Sequence, residues 1–178
     1  ETNAPELTVV VRFGKDTDQA ENSLALRHGD ESSLELFYSR GWVHEGTAAE
    51  MKDAAATAYL ADIGAGKTSI VMLSTRDDVR EVNLAIQAHY RATGTAKVGH
   101  TVTLSDELDA GVGDIVLTRK NKRRLRTKGG KRRNMFVRNG DLWTVTAVND
   151  NGSLNLRSKT HEGMITLPAR YVKRNTEL

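Results

Sequence analysis

The chain changes character near Val98, and no single layered plan suits both sides of that point. Before it, apolar residues recur at helical spacing over helix-length segments. After it, they fall in short runs separated by turn dipeptides. Charge reverses across the same region. Residues 1–110 carry 10 basic and 18 acidic side chains, whereas residues 111–178 carry 16 basic and 5 acidic. The formal net charge of +3 conceals that split.

In the first part, Leu7–Phe13 (LTVVVRF) is short and β-branched and reads as a strand. Asp16 or Thr17 can cap a helix from about Asp18 to Arg27, and Asp30 or Ser32 can cap the next, with Leu34, Leu36 and Phe37 inward. Thr47 with Glu50 three residues on forms a capping box for a long Ala-rich helix that stops near Ile63-Gly64. Ser69–Ser74 (SIVMLS) has the length and apolarity of a strand. Thr75 or Asp77 then opens a helix with Val79, Val82, Leu84, Ala85 and Ile86 towards the core. This order predicts an α/β unit with a mostly parallel sheet over residues 1–95, followed by a junction over 96–110. Ile115–Thr118, Leu142–Val148, Leu154–Arg157 and Met164–Leu167 read as short strands. Asn139-Gly140-Asp141 and Asn149–Gly152 make turns between them. Residues 111–178 are therefore expected to form a small all-β barrel.

Eleven of the 26 Lys and Arg residues lie between Arg119 and Arg138, and the stretch Arg119–Arg133 (RKNKRRLRTKGGKRR) contains no acid. Like charges repel, so a run of this kind is costly in a compact domain unless a polyanion supplies the counter-charge. Arg119, Lys120, Lys122, Arg123, Arg124, Arg126, Lys128, Lys131, Arg132 and Arg133 can meet phosphates, and Gly129-Gly130 allows a sharp bend at the tip of a basic hairpin. Phe136 and Trp143 are the nearby aromatics, and the alternation around Trp143 places it in the core. Binding is then expected to be driven by the phosphate backbone and nearly indifferent to sequence.

Other classes are disfavoured. The chain has no cysteine, so thiolate metal sites and disulfides are excluded. The five histidines are scattered, and no metal site is expected. No apolar run approaches the ~20 residues of a membrane helix, and the start lacks a secretory pattern. Together these fit a cytoplasmic protein without a membrane partner. Ala61–Thr68 (ADIGAGKT) matches a permissive phosphate-loop pattern. The chemistry of that loop needs a strand before it and a helix after it, so that helix amides face the β-phosphate. Here a helix precedes it and a strand is expected to follow, so Lys67 reads as a surface lysine and ATP hydrolysis by the chain is not expected.

Three stretches together resemble superfamily 1 helicases of the RecD/TraA type, including the helicase portion of conjugative relaxases. LTVVVRF resembles the segment near the boundary of the two motor domains, where an Arg reaches the ATP γ-phosphate; the matching residue is Arg12. TRDDVREVN (Thr75–Asn83) resembles the pattern opening the second RecA-like domain, in which Thr75 could also hold a DNA phosphate. GDIVLTRKN (Gly113–Asn121) and FVRNGDLWTV (Phe136–Val145) resemble the paired segments framing the SH3-like barrel of that domain, which adds Asn121 and Arg138 to the nucleic-acid candidates.

The resemblance implies part of a RecA-like motor domain followed by an SH3-like barrel, with single-stranded DNA and the remaining motor regions of a parent chain as partners. It implies ATP and Mg²⁺ as cofactors of such a parent, an ATP-dependent helicase acting in conjugative transfer or recombination. No Walker B motif, relaxase histidine triad or relaxase tyrosine pair is present, so this stretch is expected to hold no cofactor or catalytic residue of its own. Tyr38, Tyr59, Tyr90 and Tyr171 read as packing residues. The alternative is a free-standing SH3-like module binding RNA or ribosomes, without a motor.

Overall fold

A computed structural model describes residues 17–131 and 135–178. The strand expected at Leu7–Phe13, with Arg12, and the cations Arg132 and Arg133 lie outside the described residues. The chain forms two compact units, Glu1–Met51 and Lys52–Leu178.

The first unit is helical where described. Helix α1 (Asp18–Arg27) begins where Thr17 Oγ1 accepts the N–H of Ala20. A single 3-10 turn (Glu31–Ser33), capped by Asp30, leads into α2 (Leu34–Ser39). Asp18 and Arg40 form an ion pair. Phe37 meets Trp42 edge-on at 5.9 Å between ring centroids, and the Arg40 guanidinium lies 5.0 Å from the Trp42 ring.

Helix α3 (Ala48–Gly64) starts in this unit and continues into the second. Its capping box closes as the spacing demands: Glu50 Oε2 accepts the Thr47 N–H at 2.8 Å, and Thr47 Oγ1 accepts the Glu50 N–H at 3.3 Å. Helix α4 (Arg76–Ala92) is capped by Thr75. Lys52 on α3 reaches Asp78 and Glu81 on α4.

Between α3 and α4 the sequence misleads. Ser69–Ser74 alternates between half-buried and exposed residues as a strand would, but it joins no sheet. Ile70 and Met72 are 81% and 86% exposed. An apolar run supplies one face of a strand, whereas the strand itself requires a neighbour to pair with, and among the described residues none pairs with it. The expected parallel sheet is therefore absent from the described part of residues 1–95. On α4, Val82 is buried, but Val79 and Leu84, expected inward, are exposed.

The remainder is antiparallel. Strands β1 (Val102–Thr103) and β2 (Asp109–Ala110) form a small ladder. β3 (Ile115–Thr118), β4 (Lys122–Arg126), β5 (Phe136–Val137), β6 (Leu142–Val148), β7 (Leu154–Ser158) and β8 (Met164–Leu167) follow. Helix α5 (Ala169–Asn175) and β9 (Thr176–Glu177) come last. The main sheet runs β8-β7-β6-β3-β9, and β4 pairs separately with β5. Its two ends do not pair, so the sheet does not close into the expected barrel. Leu154 and Leu156 of β7 and Ile165 and Leu167 of β8 point into one apolar core around Trp143, which is 0% exposed. The fold is mixed α/β, helical first and antiparallel after, with the reversal in element type falling where the composition changes.

Candidate nucleic-acid interface

The two segments that resemble a barrel frame are brought together as neighbours. Ile115 pairs with Thr144, Val116 with Trp143 and Leu117 with Leu142. Motif residues do structural work there. Trp143 Nε1 donates to Thr118 Oγ1 at 3.2 Å, and that hydroxyl donates to the Arg138 carbonyl at 2.7 Å. Asp141 accepts the Arg138 N–H at 2.7 Å, closing the turn in which Gly140 has φ +87°. Asn121, a nucleic-acid candidate, has its Oδ1 occupied by the Asn139 N–H at 2.9 Å.

The basic segment leaves this frame as β4. Lys122 pairs with Val137 and Arg126 with Phe136, so β4 advances much further than β5 between the same two rungs. Arg123, Arg124 and Leu125 form the resulting bulge. A bulge leaves its residues without ladder partners and bends the strand; Leu125 packs against the core while Arg123 and Arg124 stay in solvent. Four like charges on a five-residue strand favour that escape into solvent, and all four are exposed.

Farther on, the chain is pinned. Lys128 and Met164 exchange backbone hydrogen bonds of 2.8 and 2.9 Å, and the Lys131 N–H donates to the His161 carbonyl at 2.8 Å. Gly130, at φ +83°, passes so close to the β7–β8 turn that a Cβ would lie 2.5 Å from the Gly163 nitrogen. Gly129-Gly130 is thus a clasp against the turn over His161–Gly163 and not a free hairpin tip.

The candidate cations fall into distinct groups. Arg119 pairs with Glu177 at 3.2 Å and Lys131 with Glu162 at 2.7 Å. Arg138 lies over Phe136, 5.0 Å from its ring, which takes that ring away from base stacking. Lys120, Lys122, Arg123, Arg124 and Lys128 are exposed, and among the described residues no carboxylate pairs with them. Arg126 is exposed beside them.

Arg124, Arg126 and Lys128 line a groove of about 410 Å³ with Leu125, Asn155, Met164, Ile165 and Thr166. Sequence reasoning missed Asn155, Met164 and Thr166. The alternation of β8 was a signal that Met164 and Thr166 share a face. Their neighbourhood with β4 depends on a register that no local pattern encodes.

Other candidates stand elsewhere. Thr75 Oγ1 accepts the Asp78 N–H at 3.1 Å and donates to Asp78 Oδ2 at 2.6 Å, so its hydroxyl is spent on the cap, beside a carboxylate. Asn83 Nδ2 donates to the Leu178 carbonyl at 2.8 Å. In the phosphate-loop-like segment, Lys67 pairs with Asp62 at 3.0 Å, and the next helix begins only at Arg76. Burial, with Tyr59 adding to it, pushes the Tyr90 phenol up to about 12. Burial also raises the Tyr171 phenol, which donates to the Lys120 carbonyl. Among the described residues no His, Asp and Glu cluster is arranged to hold a metal, and no helix is long and apolar enough to cross a membrane.

Comparison with protein-family models, curated proteins and solved structures finds no match for this chain.

Proposed function

We propose that this chain binds single-stranded DNA without sequence preference through the β4 bulge, as part of a RecD/TraA-like helicase or relaxase-helicase. The observation that carries the binding reading is that Lys120, Lys122, Arg123, Arg124 and Lys128 are exposed on and beside β4, with no carboxylate partner among the described residues. Cations already satisfied by protein acids gain little from phosphate, whereas unpaired ones release counterions from a polyanion when they engage it. The motor assignment rests on the resemblance of Gly113–Asn121 and Phe136–Val145, which form neighbouring elements around the basic insertion. In that setting β3 and β6 supply a rigid frame, and the bulge tracks a strand delivered by the rest of the motor. ATP and Mg²⁺ belong to that parent motor in this reading, and Arg12 would be its contact to the γ-phosphate.

The test is binding of a fluorescently labelled dT oligomer at low salt. The unmodified chain is expected to bind, and the triple variant R123E/R124E/K128E to lose most of that affinity. An equal loss from reversing Lys159, Arg170 and Lys173 would assign binding to the overall field of the protein and refute the bulge as the site.

A further inference from the structure

The groove beside the bulge has walls and a floor of different chemistry. Arg124, Arg126 and Lys128 supply the cationic side, and Leu125, Met164 and Ile165 the apolar side. Met164 is 45% exposed, on the outward face of β8 that it shares with Thr166. Its thioether is a soft surface suited to the face of a flat aromatic ring. Asn155 lies across the β7–β8 ladder from Thr166. Its Oδ1 accepts the Thr166 hydroxyl at 2.7 Å, and among the described residues no acceptor takes its side-chain NH₂. Arg124, Lys128 and the Asn155 NH₂ offer donors to the groove, so a fitting ligand is flat, rich in acceptors and attached to a negative backbone. The volume of about 410 Å³ falls in the range of small-ligand sites, ~300–1,000 Å³.

We propose that this groove receives one unstacked base of the bound strand, with the ring against Met164, its carbonyl edge facing the Asn155 amide, and the flanking phosphates on Arg124 and Lys128. The inference rests on the strand-binding reading above and adds a base-dependent part to it. A duplex keeps its bases stacked and paired, so the same subsite distinguishes single strands from duplex without reading sequence. The contact is built on the β8 edge and on the clasped end of β4, so the base site and the phosphate site are held in fixed relation.

The experiment compares a labelled dT oligomer of about twelve nucleotides with an abasic deoxyribose-phosphate oligomer of the same length and charge. The unmodified chain is expected to bind the dT oligomer about five- to tenfold more tightly at equal salt, a gap of the size one stacked base supplies. Met164→Ala, at an exposed position, is expected to close most of that gap and leave abasic affinity unchanged. Equal affinity for the two oligomers in the unmodified chain overturns the base subsite while leaving phosphate binding in place. A gap that survives Met164→Ala and Asn155→Ala also overturns it, because the base then sits elsewhere. Absence of binding to both oligomers removes the strand-binding reading and this inference together.

Discussion

The side-chain amide of Gln87 donates to the carboxylate of Asp114 at 2.8 Å, and the same oxygen accepts the Gly111 N–H at 2.8 Å. Both side chains are buried, and Arg91 Nη2 stands 3.6 Å from that oxygen. Helix α4 is thus fastened to the start of β3 by a charge that water does not reach. Removing one partner of such a group leaves the other desolvated and unmatched. Asp114→Ala is expected to cost about 3 kcal/mol and Gln87→Ala about 1–3 kcal/mol in urea denaturation. The double variant should cost less than the sum, because the two changes delete one shared interaction.

Salt should report how many cations engage. If Lys120, Lys122, Arg123, Arg124 and Lys128 all meet phosphates, log K against log salt for a single strand should fall with a slope of about −3.5, from ~0.7 ions per contact. Reversing Arg123 and Arg124 should flatten that slope by more than one unit, measured by titrations at several salt concentrations.

The cap of α4 should be separable from binding. Thr75→Ala removes the acceptor for the Asp78 N–H and is expected to cost about 1 kcal/mol of stability, with DNA affinity unchanged. A matching loss of affinity would assign Thr75 a phosphate contact in addition to its cap.

The same cap has a pH signature. Hydrogen bonds from Thr75, then from Lys52, hold the Asp78 carboxyl below its usual value, and Thr47 does the same for Glu50. A carboxylate with a depressed folded-state pKa contributes stability that is fully present above its unfolded value. That contribution is lost as pH falls through the folded value. Far-UV circular dichroism should therefore show helix loss beginning below the ordinary carboxylate range. Asp78→Asn should remove part of that acid dependence.

Ile70 and Met72 bury nothing among the described residues. I70K/M72K should leave stability within about 0.5 kcal/mol of the unmodified chain. It should also reduce concentration-dependent self-association measured by light scattering, because an open apolar edge is a template for pairing.

Features set by neighbouring residues were legible in the sequence. The Thr47–Glu50 box, the caps of α1 and α4 to within two candidate residues each, and the bounds of β3, β6 and β8 follow from side chains a few positions apart. Trp143 was readable as core from alternation alone. What failed depended on distant partners. Ser69–Ser74 has strand composition but pairs with no strand among the described residues, and the expected closure needed β8 and β9 to meet. The cations of the basic run were visible as a group. Only tertiary placement distinguishes Arg119 and Lys131, neutralised by Glu177 and Glu162, from Arg123 and Arg124, which have no acidic partner among the described residues. The groove floor was hidden for the same reason, since Asn155 and Met164 reach β4 through register.

The close passage of Gly130 over Gly163 bears on the entropy of binding. A basic arm free at its far end would have to be immobilised each time it met a strand, and that ordering would subtract from affinity. With its return anchored at Lys128 and Lys131, much of that ordering is completed during folding. Gly130→Ala, which keeps every charge but cannot keep the crossing, would hand the cost back to the encounter: the arm would still attract DNA at the same rate and would release it sooner.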